Sequence, residues 1–151
     1  MTNETFSDIY NKSLDLLSRR EHSQKEIKLK LHKKFNNTKE IDEVVKKLVA
    51  NNIINDTRFT EHYINLRKRR GFGSKKISYE LLSKGINESI IDSVLSDIDD
   101  WKELAKKEFN KKYKDGPSDD FKIRSKQKNF LLNRGFSFEE IESLFQTQLD
   151  L

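Results

Sequence analysis

The chain contains no cysteine, a single proline, five glycines and one tryptophan in 151 residues. Without thiols there is no disulfide framework, no thiolate zinc site and no cysteine nucleophile. With so few helix breakers, long stretches are left free to form helices. No segment approaches the roughly 18 apolar residues needed to span a bilayer. The opening MTNETFSDIYNKSLDLL lacks the basic start and apolar run of a secretory signal. These absences predict a soluble, cytoplasmic chain with no membrane partner. What the sequence has in abundance is charge. Charged residues are 36% of the chain, so a core must be assembled from narrow apolar stripes. Lysine and arginine outnumber acids 30 to 25, a net +5 that suits a polyanionic or acidic partner and equally suits a solvated surface.

Apolar residues recur at spacings of three and four, which predicts an all-helical fold. They also recur at an offset of 50: Leu31, Leu81 and Leu131; Ile41, Ile91 and Ile141; Val44, Val94 and Leu144. Asn37, Asn87 and Ser137 share that register and each precedes an apolar run, as helix N-caps do. Glu40 and Glu140 stand at capping-box spacing, as does Glu26 after Ser23. Lys34, Lys84 and Arg134 align, followed by Phe35, Gly85 and Gly135. The glycines suit a left-handed helix stop. The pattern predicts an elongated tandem array of three three-helix repeats, at 1–52, 53–98 and 99–151. Helices are expected at 7–20, 24–34 and 38–51; at 57–70, 75–84 and 88–98; and at 100–114, 119–133 and 138–149. The weakest junction is KYKDGPSDDF, Tyr113 to Phe121.

One stretch stands out: LRKRRGFGSKKI, Leu66 to Ile77. It lacks the glycine spacing of a P-loop or a dinucleotide fingerprint. Gly71 reads as a helix stop and Ser74 as the cap of the next helix. Arg67, Lys68, Arg69, Arg70, Lys75 and Lys76 exceed what a helix dipole alone would recruit. They face an anion or acidic partner, or they are a solvated face. Basic residues recur in the first repeat at Arg19, Arg20 and Lys25, and in the third at Lys122, Arg124, Lys126 and Lys128, with Lys84 a lesser candidate. His22, His32 and His62 do not place two imidazoles and a carboxylate on one helical face, so they are read as surface histidines and no metal site is expected. Asp56 reads as a helix cap, and so does the pair Asp99 and Asp100. Trp101 and Phe136 read as core filler, whereas Phe72 in the basic loop could be filler or a stacking platform. No nucleophile with a partnered histidine and acid appears, so neither catalysis nor a cofactor is expected.

Three segments resemble the RecX family of recombination regulators: RREHSQKEIKLKL from Arg19 to Leu31, INDTRF from Ile54 to Phe59, and GFGSKKISYELLSKGI from Gly71 to Ile86. Phe35 stands where glycine is frequent in that family, and the third repeat carries little signature beyond its apolar register. The resemblance implies a three-repeat helical protein that binds RecA and lies in the groove of the RecA–ssDNA filament, limiting its growth or promoting its disassembly. Strand exchange, ATP hydrolysis and coprotease activity would be damped. Contacts would fall to Arg67, Lys68, Arg69, Arg70, Lys75, Lys76 and Lys84, to Arg19, Arg20 and Lys25, and in the third repeat to Arg124, Lys126 and Lys128. The chain would act as a monomer. A module that binds single- or double-stranded DNA directly, or an adaptor for another protein, remains the alternative.

Overall fold

The computed structural model describes residues 5–146, which form nine α-helices and no strand. The first repeat holds α1 (Phe6–Arg19), α2 (Gln24–Lys34) and α3 (Thr38–Ala50). The second holds α4 (Asp56–Arg69), α5 (Ser74–Ser83) and α6 (Glu88–Ser96). The third holds α7 (Trp101–Lys112), α8 (Phe121–Arg134) and α9 (Phe138–Gln146). Every expected helix is present, with ends displaced by no more than two residues; residues 147–149 of the last expected span lie outside the described residues.

Most helix starts follow local rules. The Ser23 hydroxyl accepts from the Glu26 amide, while the Glu26 carboxylate accepts from the Ser23 amide. Ser137 and Glu140 form the same reciprocal box, and Asn37 accepts from Glu40 N–H. Such caps contribute about 1 kcal/mol each by satisfying amides that the helix cannot.

Three caps differ from expectation. Asn55, not Asp56, caps α4 by accepting from Arg58 N–H at 2.9 Å. Asp56 instead accepts from the Gln24 amide at 3.0 Å, in the first turn of α2. Ser74 is already the first residue of α5, whose Ile77 amide donates to the Gly73 carbonyl. Asp100 precedes α7 without a side-chain cap bond and instead pairs with Lys68. Asp56 and Asp100 are drawn away by donors that folding brings to them, and at α5 the Gly73 carbonyl stands one residue ahead of the expected cap.

The chain divides into two compact units. The first comprises described residues 5–62 and 81–91; the second comprises 63–80 and 92–146. In the first, α1, α2 and α3 close over Ile9, Ile27, Leu31, Ile41, Val44, Val45 and Leu48, with Phe35 and Ile54 at the ends. In the second, α7, α8 and α9 close over Ala105, Phe109, Leu131, Phe136, Ile141 and Phe145. Phe109 meets Phe145 edge-on and stacks in a tilted pair with Tyr113. The loop after α7 is pinned by buried Gln127, which donates to the Gly116 carbonyl and accepts from the Ser118 amide.

Each unit contains a version of the same joint. In the first, the Ser23 hydroxyl at the start of α2 donates to the Lys84 carbonyl at the end of α5, 2.8 Å away. Lys25 lies so close to Gly85 that an added Cβ would stand 2.6 Å from its side chain. In the second, fifty residues on, the Gly73 amide before α5 donates to the Arg134 carbonyl at the end of α8, also at 2.8 Å. The Lys75 amide donates to the Gly135 carbonyl, and a Cβ on Gly135 would reach the Lys76 backbone nitrogen at 2.6 Å. Gly85 and Gly135 have φ of +81° and +96°, so glycine here supplies both the left-handed turn and the room for a neighbouring helix tip.

Candidate functional site

The central basic segment divides into two groups. Arg67 makes a two-pronged pair with Glu80, Nε and Nη2 donating at 2.9 and 2.8 Å, and Tyr63 donates its hydroxyl to the same carboxylate. The guanidinium also lies 4.0 Å from the centre of the Phe72 ring. Lys68 is held by Asp100 at 2.7 Å and lies over Trp101. Both side chains are only 18% exposed. Arg69, Arg70 and Lys75 are exposed and carry no ion pair among the described residues. Lys76 sits 4.8 Å from the Phe72 centroid.

In the first unit the candidates gather around one carboxylate. Glu26 takes Arg20 at 3.0 Å and Lys84 at 3.7 Å, while Lys25 donates to the Ser83 carbonyl. Burial alone would raise the Glu26 pKa, but the Arg20 hydrogen bond, the Ser23 amide and the charges of Arg20 and Lys84 outweigh it and hold the carboxyl below its ordinary value. Arg19 pairs with Asp15. His22 is not a surface histidine: at 1% exposure, its Nδ1 faces the Arg20 carbonyl and its Nε2 accepts from Lys30 Nζ at 2.8 Å. Burial, aided by the charges of Arg20 and Lys30, lowers its pKa despite the Arg20 carbonyl. The Lys30 pKa is lowered as well, first by desolvation. The INDTRF segment is a structural clasp. Arg58 pairs with Glu21 at 2.6 Å and donates to the carbonyls of Asn52 and Ile53, while Phe59 is buried.

In the third repeat, Arg124 lies over the Phe145 ring and donates to the Ser118 carbonyl, and Lys128 pairs with Glu142. Lys126 has no ion pair among the described residues. It opens onto a cleft of about 460 Å³ within the second unit.

Most of this cleft escapes sequence reading. From α8 it takes Lys126, Asn129, Phe130 and Asn133, with i, i+3, i+4 and i+7 spacing that places them on one helical face. Phe72 and Lys76 come from the region where α5 begins, and Lys112 and Tyr113 from the end of α7. Lys112 lies 4.5 Å from the Phe130 ring centre, and Tyr113 meets Phe130 edge-on. Arg134 lies 5.2 Å from the Phe130 centroid and 5.4 Å from that of Phe72. It donates to the Arg70 carbonyl and lies 3.6 Å from Glu108, whose carboxylate is buried against Gly71. Among the described residues no acidic side chain lines the cleft. The available signal was a phenylalanine among amides and lysines on α8; Phe130 packs one side against the second unit's core and shows the other to the cleft.

Among the described residues no helix is long and apolar enough to cross a membrane, and no group of three histidine or acidic side chains is placed to hold a metal ion. Three family models match in chain order: the first three-helix domain of RecX over residues 10–48, the second over 55–95 and the third over 99–145. A regulatory protein RecX of Serratia proteamaculans is 31% identical over 93% of this chain and 97% of its own length. The Haemophilus influenzae protein of the same name is 36% identical over 89% and 91%. The crystal structure of RecX from Lactobacillus salivarius superposes with a TM-score of 0.82 at 27% identity, covering 97% of both chains.

Proposed function

Because the chain belongs to the RecX family of regulatory proteins, we propose that it is a non-catalytic regulator of the RecA recombinase. In this reading a cytoplasmic monomer with repeats at 1–52, 53–98 and 99–151 binds the RecA–ssDNA filament and blocks its extension or promotes its disassembly. Strand exchange, ATP hydrolysis and coprotease activity fall as a consequence. The observation that carries the reading is the match of all three RecX domain models, in order, along nearly the whole chain. On a repetitive filament, weak contacts from successive repeats add through high effective concentration.

Arg69, Arg70 and Lys75 are the first choice for the contact, because their charge is not already committed to an intramolecular pair. Arg20, Lys25 and Lys84 form a second patch around Glu26. Arg67 and Lys68 act in this account by shaping the segment.

The test is ssDNA-dependent ATP hydrolysis by RecA, titrated with this protein well below one molecule per recombinase. Inhibition that is lost when Arg69, Arg70 and Lys75 are changed to glutamate, with helical circular dichroism intact, supports the regulator and its central contact. Inhibition that disappears whenever bare DNA is in excess favours a DNA-binding module. The cleft of the second unit, with rings and cations but no lining acid among the described residues, is the observation that keeps that second reading open.

A further inference from the structure

The geometry points to the cleft of the second unit as a nucleotide site, taking a phosphorylated nucleoside either as part of a single strand or free in solution. Three chemistries converge there, and a nucleotide needs all three. Lys76, Lys112 and Lys126 supply ammonium groups for phosphate oxygens. Asn129 and Asn133, one turn apart on α8, offer amides that both donate and accept, as a base edge does. Phe72, Tyr113 and Phe130 supply ring surface.

An acidic peptide would use the ammonium groups but has no need of paired carboxamides beside aromatic rings. A lipid or other apolar ligand would leave the cations unanswered. At about 460 Å³ the cleft falls within the range of small-ligand sites, roughly 300–1,000 Å³. Its cations are also held ready. Lys76 and Arg134 lie over Phe72, and Lys112 and Arg134 over Phe130, at 4.5 to 5.4 Å. Each such contact at an exposed site is strong enough to bias a side chain and weak enough to release it. An arriving phosphate draws Lys76 and Lys112 from the ring faces, and the base takes the surface they leave beside Arg134. Arg134 stays held by the Arg70 carbonyl and Glu108, while Arg67 keeps its place on Phe72. Stacking of this kind tolerates any sequence, because every base has a π-face. A base paired inside a duplex cannot enter.

The inference deepens the proposed regulation by naming what this surface would touch on a filament, and it rests on that reading only for where the strand comes from. Its test omits the recombinase. A short labelled oligothymidylate is titrated by fluorescence anisotropy against the full chain, against Lys112→Glu/Lys126→Glu, and against Lys39→Glu/Lys46→Glu, a control of equal charge change on α3. The expected result is an affinity loss about tenfold greater for the cleft pair than for the control. The slope of log affinity on log salt should fall by about 1.4, roughly 0.7 for each phosphate contact removed. Phe72→Leu and Asn133→Ala should weaken oligothymidylate but not an abasic strand. Competition by ATP as well as oligothymidylate assigns a free-nucleotide source; competition by the oligonucleotide alone assigns a strand.

Equal losses in the cleft and control pairs overturn the site, as does competition by polyglutamate that matches the oligonucleotide. Abasic and base-bearing strands binding alike reduce the cleft to a phosphate clamp and overturn the nucleotide assignment. Failure here with intact inhibition of RecA hydrolysis leaves the regulator standing without this site. Nucleotide binding without any such inhibition leaves the site standing without the regulator.

Discussion

The two units use one joint to frame two different surfaces. In both, the tip of a second helix meets the end of the next repeat's second helix, through Ser23 and Lys84 in one and Gly73 and Arg134 in the other. Beside the first joint lies a cleft of about 680 Å³ that includes Lys25, Leu29, Asp56 and Ile90. Its carboxylate already serves the start of α2, and among the described residues the His32 imidazole is the one ring that lines it. Among the described residues the second unit's cleft has three phenyl or phenol rings, four cations and no acid. Backbone geometry shared between repeats therefore does not carry ligand chemistry with it. That chemistry depends on which side chains occupy the exposed face of the second helix.

The two joints should differ most at their glycines. Gly135→Ala should cost about 2–4 kcal/mol, because a left-handed φ and a collision with the Lys76 backbone act together. Gly85→Ala meets only the Lys25 side chain, which can move, and should cost about 1–2 kcal/mol. Urea unfolding of both variants measures the difference; equal costs would mean that the joints are mechanically alike. Glu80→Ala ranks next. It strands an Arg67 that is 18% exposed and removes the acceptor of Tyr63, and should cost about 1–2 kcal/mol.

A pH titration separates the units without mutation, since all three histidines fall in the first. The folded pKa of His22 is lowered, so the unfolded chain takes up its proton first as pH falls. The stability that neutral His22 contributes is complete above its unfolded pKa, about 6.5, and is lost as pH falls through the lower folded value. Amide exchange at pH 7 and at pH 5.5 should show α2 loosening while α8 does not respond through this group. His22→Gln should remove the dependence. The smallest effect is Asp100→Asn, which weakens a pair whose carboxylate is 54% exposed and should change stability by no more than about 0.5 kcal/mol in either direction.

What was legible in the sequence is what depends on neighbours in sequence. Apolar period, the Ser23 and Ser137 boxes and the glycine stops lie within a turn of the residues they serve, and so the helices fall where the pattern places them. Less legible was whatever depends on a partner brought in by folding. Arg67 looked available until Glu80, thirteen positions on, closed over it, and Lys68 is bound by a residue thirty-two positions away. His22 looked like a surface residue because nothing local reveals that Lys30 and the Arg20 carbonyl enclose it. The cleft draws on three separated segments, so only its α8 face left a periodic trace.

Phe35 occupies the register of Gly85 and Gly135, yet its backbone is extended, with φ of −123°, and its ring belongs to the first unit's core. The glycines are sockets into which another helix tip fits; the phenylalanine fills the corresponding socket with its own chain. This gives the repeat a grammar with a direction. An engineer who copied the middle repeat in front of α1 would have to exchange Phe35 for glycine to receive it, and would remove a core side chain from the first unit by doing so.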